Sequence, residues 1–131
     1  MSKVVIDCNS MENNQLTALI SDLSQKIDSS KILDAPEDLL VYEYDTSIDR
    51  AVPEVVILPT TVDEVSHAVK VAEQYNLPVI PRGSGTGFAG GALPVKGGIL
   101  IVLTAMNEIR EIDAENRIAI VEPGVINLHL H

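Results

Sequence analysis

The stretch Pro53–Gly91, PEVVILPTTVDEVSHAVKVAEQYNLPVIPRGSGTGFAGG, decides how this chain folds. Val55–Leu58 is a short run rich in β-branched residues and stopped by Pro59, the pattern of a buried strand. Thr61 with Glu64 three residues on reads as a capping box that opens a helix. Val62, Val65, Ala68, Val69, Ala72 and Tyr75 then line one helical face; Asn76 sits near the end, and Pro78 stops the helix. Leu77–Ile80 reads as the next strand. Strand, helix, strand makes a βαβ unit, so the two strands are expected to be parallel with a right-handed crossover. A glycine-dense loop, Gly83–Gly91, follows the second strand directly.

Outward from this unit the signals are simpler. Upstream, Leu16, Leu19, Ile20, Leu23 and Ile27 recur at three- and four-residue steps, which predicts an amphipathic helix over Glu12–Ile27. Leu39–Tyr44 fits either a short helix or a strand. Downstream, Ile99–Leu103 reads as a strand. Ile109–Ile112 and Ile118–Val121 flank the polar turn Asp113–Arg117 and read as an antiparallel hairpin ended by Pro123 and Gly124. Val125–His131 starts a further element, expected to be a helix capped near Asn127. A domain ending about one turn into a new element reads as truncated.

The 131 residues suit one domain or part of one, and 46% hydrophobic with 21% charged residues is a globular balance. The longest apolar run, Ile99–Leu103, is far below the roughly 20 residues of a membrane span. Cys8 is the single cysteine, which excludes an intrachain disulfide and a cysteine metal cluster. Met1–Asn13 carries no apolar signal core, and a reducing cytoplasm is the expected compartment. A net charge of −10 argues against nucleic acid as a partner. The charge is uneven: between Gln74 and Asn107 there is no Asp or Glu, only Arg82 and Lys96. An acidic chain thus keeps one long stretch that does not repel anions. Buried strands and a glycine-rich turn would leave the same gap.

Seven of the eight glycines lie between Gly83 and Gly98. Glycines after a parallel strand allow positive φ and let successive backbone N–H groups converge on one anion. Arg82 could add a charge, and Ser84 and Thr86 hydroxyl donors. Three readings compete. Gly85, Gly87 and Gly90 match the G-x-G-x-x-G of a nicotinamide-dependent Rossmann site, but Pro94, Gly97 and Gly98 follow where its helix should run. A Walker A loop is excluded, because no Gly-Lys-Ser/Thr occurs. A mobile surface loop with no ligand is the second reading. A phosphate cradle of another fold is the third.

Pro81-Arg82-Gly83-Ser84-Gly85-Thr86-Gly87-Phe88-Ala89-Gly90-Gly91-Ala92 closely resembles the diphosphate loop of flavin-linked oxidases of the vanillyl-alcohol-oxidase, or p-cresol methylhydroxylase, type. Three further segments resemble the same family in order: Pro53–Val65, Met106–Asp113 and Val121–Val125. Within it, the flavin subunit of glycolate oxidase and D-lactate dehydrogenases are the most similar, and Glu37–Asp45 resembles that subgroup's entry segment. The resemblance covers about residues 34–131. It implies an α+β FAD-binding domain, with a βαβ parallel layer beside an antiparallel sheet. Residues 1–33 would be an N-terminal helix and linker, and 34–131 the N-terminal part of that domain, truncated at its C-terminus.

By position, the resemblance implies that Arg82, Gly83, Ser84, Gly85, Thr86 and Gly87, with Gly90 and Gly91, wrap the FAD diphosphate. It also implies that Pro59, Pro123 and Gly124 lie near the adenine and the extended chain of the flavin. The glycines, Gly87 among them, are expected to be needed for positive φ. The loop holds no His or Cys, which implies a non-covalent flavin. The implied activity is oxidation of a small 2-hydroxy acid, glycolate or D-lactate, to the 2-oxo acid. Further oxidase subunits would be partners, through which the protein would be peripheral to the inner membrane. Catalytic residues and any metal would lie outside these 131 residues, which makes this chain alone inactive; a non-catalytic nucleotide-binding fragment is the alternative. His67 is expected on a helix surface, and His129 and His131 are not expected to chelate. Cys8 lies in a leader with no activating base. Tyr42 and Tyr44 are expected to pack while Glu43 and Asp45 face solvent. Phe88 either shields the cofactor or anchors the loop.

Overall fold

The computed structural model describes residues 11–130. Cys8, the leader and His131 lie outside the described residues. In chain order the elements are α1 (Asn13–Leu23), β1 (Ile32–Leu33), α2 (Pro36–Leu39), β2 (Val55–Ile57), α3 (Val62–Gln74), β3 (Val79–Arg82), β4 (Ile99–Val102), β5 (Ile109–Asp113) and β6 (Ile118–Val121). Short 3₁₀ turns cover 29–31, 40–42, 103–105 and 127–130. The ambiguous segment 39–44 is therefore helical turn rather than strand, and Asn127–Leu130 makes the short closing turn.

Four strands form one sheet in the order β1-β2-β4-β3, with β2 and β3 both parallel to β4 and β1 antiparallel to β2. The two strands of the βαβ unit are parallel as expected, but β4 lies between them. The reason is composition: Ile99, Leu100, Ile101 and Val102 are apolar at every position and all buried, as a strand covered on both faces must be. Each such side chain contributes about 1.5–3 kcal/mol. β3 carries Pro81, which cannot donate to a second neighbour and is confined to an edge. One face of the sheet packs Val55, Ile57, Ile99 and Ile101 under Leu19, Leu23, Ala68 and Ala72 of α1 and α3; the other packs Val56, Leu100 and Val102 with Leu39.

Thr61 Oγ1 accepts from the Glu64 N–H at 3.2 Å, so the helix cap is real. The box closes one residue early, because Glu64 Oε2 accepts from the Thr60 N–H at 2.7 Å. Glu64 Oε1 is taken by Lys31 Nζ at 2.6 Å. The apolar face of α3 runs through Val65, Ala68, Val71 and Ala72, whereas Val62 and Val69 are exposed. His67 is half-buried rather than on the open surface, with Nε2 2.9 Å from the Asp22 carbonyl of α1. At the far end of α3, Asn76 takes φ +52° and Leu77 N–H reaches the Ala72 carbonyl at 2.9 Å, a Schellman-type closure. That closure uses up Leu77, so β3 begins at Val79, two residues later than its sequence suggests. The shift makes Arg82 the last rung of the strand, opposite Val102.

β5 and β6 pair antiparallel as a separate two-stranded sheet. Asp113 closes their turn by accepting the Asn116 N–H at 3.0 Å and its side-chain amide at 2.6 Å. Gly124 then crosses the turn after β4: its N–H donates to the Met106 carbonyl at 2.7 Å, and a Cβ there would run into the Leu103 carbonyl.

Candidate functional site

β3 delivers Arg82 to the C-terminal end of the parallel strands, the end at which such sheets place their ligands. The chain turns there into Gly83–Gly87. No helix follows; residues 83–98 run in turns to β4, so the helix that a Rossmann nicotinamide site requires is missing.

A second segment, Tyr42–Ser47, lies against this loop as a strap. Thr46 Oγ1 donates to the carbonyl of Gly87 at 3.0 Å and lies 3.4 Å from that of Gly85. Arg82 Nη1 donates to the Tyr44 carbonyl at 2.8 Å, and the guanidinium stands 5.8 Å from the centre of the Tyr42 ring, within cation–π range. Arg82 is only 8% exposed. The strap also overturns the expectation for its acids: Asp45 is 8% exposed, while Tyr44 is 51% exposed. Asp45 Oδ1 accepts the Ser47 N–H at 2.7 Å, an Asx turn whose Asp-x-Ser pattern is readable in sequence. Ser47 beside it, together with the Arg82 charge, holds the Asp45 carboxyl below its ordinary value. The contact between strap and loop, across about 40 residues of chain, has no local signal.

Strap and loop enclose an open cleft of about 410 Å³, lined by Val41, Tyr42, Tyr44, Asp45, Thr46, Arg82, Gly83, Ser84, Gly85, Thr86, Val102 and Thr104. Among the described residues, the backbone N–H groups of Ser84 to Gly87 donate to no protein acceptor. The loop's carbonyls are thus tied to the strap while its donors are not, the polarity that an anion requires. Gly85 needs its glycine: φ is +72°, and a Cβ would run into the Arg82 guanidinium. Gly90 also has a positive φ, +71°. Gly87 does not, contrary to expectation, and neither do Gly83 and Gly91; at these three a Cβ would meet open space.

Of the remaining expected residues, Gly87, Gly90 and Gly91 lie outside the cleft lining, Pro59 is fully buried, and Pro123 is exposed. Phe88 is 79% exposed, so it does not anchor the loop. A second depression at the start of α3 mixes Lys26 and Lys70 with Asp63 and Glu64. Among the described residues no His, Cys, Asp and Glu gather as a metal site, and no helix is long and apolar enough to cross a membrane.

Loop and sheet together form a lobe with an anion-accepting loop at the C-terminal end of its parallel strands, and the uncommitted N–H donors of that loop, which carries no acid of its own, fit a phosphate group. Residues 53–131 match the FAD binding domain family, and the chain belongs to it. It is 42% identical over 92 residues to the glycolate oxidase subunit GlcD of Bacillus subtilis, covering 70% of this chain and 20% of that protein. It is 40% identical over 77 residues to a D-lactate dehydrogenase of Anaerostipes hadrus, covering 59% and 16%. Among solved structures, p-cresol methylhydroxylase with bound substrate superposes with a TM-score of 0.77 at 26% identity, over 88% of this chain and 23% of that one. The chain therefore spans about a fifth of the length of these relatives. The expected α+β fold of the p-cresol methylhydroxylase type and the FAD assignment stand.

Proposed function

We propose that the loop Arg82–Gly87, with Gly90 and Gly91, cradles the diphosphate of a non-covalently held FAD, and that the whole protein oxidises a small 2-hydroxy acid, glycolate or D-lactate, to the 2-oxo acid. The observation that carries the reading is the polarity of the loop: two carbonyls face Thr46 of the strap, and four successive N–H groups have no partner within the described residues. Gly85, held by its positive φ against Arg82, keeps that polarity in place. Arg82 acts chiefly by fixing the strap through the Tyr44 carbonyl. Pro59, Pro123 and Gly124 are assigned in the same reading to the adenine and the extended chain of the flavin. Bound FAD would supply the redox chemistry by accepting a hydride equivalent from the hydroxy acid; this lobe contributes binding and orientation. The substrate class rests on the GlcD and D-lactate dehydrogenase relatives. Further oxidase subunits, and through them a membrane surface, belong to the same reading.

Gly83→Ala tests the cradle, because Gly83 lines the cleft and the free protein has room for the methyl group and ordinary backbone there. Its melting temperature should match wild type, while FAD affinity, followed by quenching of flavin fluorescence, should fall at least about fivefold as phosphate oxygens lose their approach. Unchanged FAD binding would place the diphosphate elsewhere. Tighter binding of NAD than of FAD would revive a nicotinamide site, and FAD binding without turnover of glycolate or D-lactate by the whole protein would leave a nucleotide-binding role.

A further inference from the structure

Two peptide planes of the glycine loop, Gly85–Thr86 and Gly87–Phe88, have a glycine on their N-terminal side. Glycine backbone is permissive, so each plane can turn over at little cost. The peptides are trans, and in a trans peptide the C=O and the N–H point opposite ways. A plane that turns over therefore presents its carbonyl where its N–H had been, and a phosphate meets an acceptor instead of a donor. One side chain holds both planes. Thr46 Oγ1 donates to the Gly87 carbonyl at 3.0 Å and lies 3.4 Å from the Gly85 carbonyl, and among the described residues no other donor reaches either. The N–H groups of the same two planes, those of Thr86 and Phe88, face away from the strap and donate to no acceptor among the described residues.

Thr46 is itself held. Residues 43–51 close into a turn with Thr46 near its tip: Tyr44 bridges Arg50 antiparallel, the Ala51 N–H donates to the Glu43 carbonyl at 2.9 Å, and the Arg50 guanidinium pairs with the Glu43 carboxylate. Asp45 accepts the Ser47 N–H across Thr46 at 2.7 Å, and Arg82 ties the Tyr44 carbonyl to the base of the glycine loop at 2.8 Å. We propose that Thr46 is a positioning residue for the cradle: its hydroxyl fixes two peptide planes of the glycine loop and so sets the aim of the Thr86 and Phe88 N–H groups before the diphosphate arrives. This rests on the reading of the loop as an FAD cradle. A loop whose donors face correctly only part of the time binds more weakly by that fraction. Thr46 removes that loss from about 40 residues away in the chain.

A pair of substitutions separates the hydroxyl from the shape. Thr46→Val keeps the shape and removes the hydroxyl; Thr46→Ser keeps the hydroxyl and removes the methyl group. Thr46 is exposed, so neither should move the melting temperature. FAD and inorganic pyrophosphate are titrated into the apoprotein by calorimetry, pyrophosphate also as a competitor of FAD. Thr46→Val should weaken both ligands in parallel, each about fivefold, the size of one ordinary hydrogen bond. Thr46→Ser should bind both within about twofold of wild type. Should Thr46→Val melt early, Thr46→Ala carries the same comparison. Unchanged affinity for both ligands in the variant without the hydroxyl overturns the proposal. An equal loss in Thr46→Ser also overturns it, because the methyl group and not the hydroxyl would then hold the loop. A loss on FAD alone overturns it as well, since Thr46, which lines the cleft, would then touch the rest of the dinucleotide directly. Wild-type protein that binds neither ligand, or binds FAD without competition from pyrophosphate, defeats the cradle reading and the role of Thr46 with it. Competition in wild type with no loss in Thr46→Val defeats the role of Thr46 and leaves the cradle standing.

Discussion

Two strands of this chain are almost the same in composition and opposite in fate. β4 is Ile99-Leu100-Ile101-Val102, and every residue is buried. β6 is Ile118-Ala119-Ile120-Val121, and every residue is exposed, with Ile118 at 55% and Ile120 at 50%. β4 has a parallel neighbour on each side and a layer of side chains on each face. Among the described residues β6 pairs only with β5, and no layer of side chains covers this two-stranded ribbon. Burial is therefore a property of position in the sheet order rather than of the strand. The same contrast separates two roles in the molecule. The parallel layer holds Arg82 and the glycine loop in place, while the hairpin is held by its own turn and by the crossing at Gly124.

The largest effect should come from making one substitution in both strands. Ile101→Ala should cost about 2–5 kcal/mol in urea unfolding, the range for emptying a packed core site, whereas Ile120→Ala should cost under about 1 kcal/mol. Equal losses would mean that the hairpin is as tightly covered as the core and would break the contrast. Gly124→Ala should come next. Its methyl group would collide with the Leu103 carbonyl, and overpacking of this kind costs about 1–3 kcal/mol. Because that crossing joins hairpin to layer, hydrogen exchange should rise in 109–121 before it rises in 99–102. A uniform rise would show the two regions to be one cooperative unit.

The smallest effect belongs to Glu64. Burial pushes its carboxyl up, but Lys31 and the Thr60 N–H and hydroxyl outweigh that and leave it below the ordinary 4.5. A carboxyl lowered in the folded state contributes stability that is present above its unfolded value and is lost as pH falls through the folded one. Glu64→Ala should therefore cost about 1 kcal/mol at pH 7, and the difference from wild type should vanish as the pH is taken well below 4.5. A difference that persists in acid would assign the loss to packing rather than to the charge.

Much of the layer was legible in sequence. The β-branched run at Val55, the Thr61 cap, the stop at Asn76 and Pro78, and the Asp113–Arg117 turn are local signals with local causes, and each marks an element in the structure. The misplacements were also local. β3 slid to Val79–Arg82 because the helix closure consumed Leu77, and the capping carboxylate reached Thr60 because Lys31 was there to share it. At the site, the loop itself could be read from its glycines. What each glycine does could not: Gly85 and Gly90 sit at positive φ and Gly87 does not. The strap defeats sequence reading outright, since an Asp in a polar run reads as solvated until another part of the chain covers it.

Caps, turns and periodicity act over a few neighbouring residues, so α1, α3, the parallel pair, the hairpin and a glycine loop after a strand could be read from the residues alone. Long-range packing is what places β4 between the strands of the βαβ pair, folds Thr46 of the strap onto Gly87 and buries Asp45 beside Arg82. Those outcomes depend on contacts between residues some 40 positions apart. Which apolar run reaches the centre, and which polar side chain loses its water, is settled only when the layers compete for the same space.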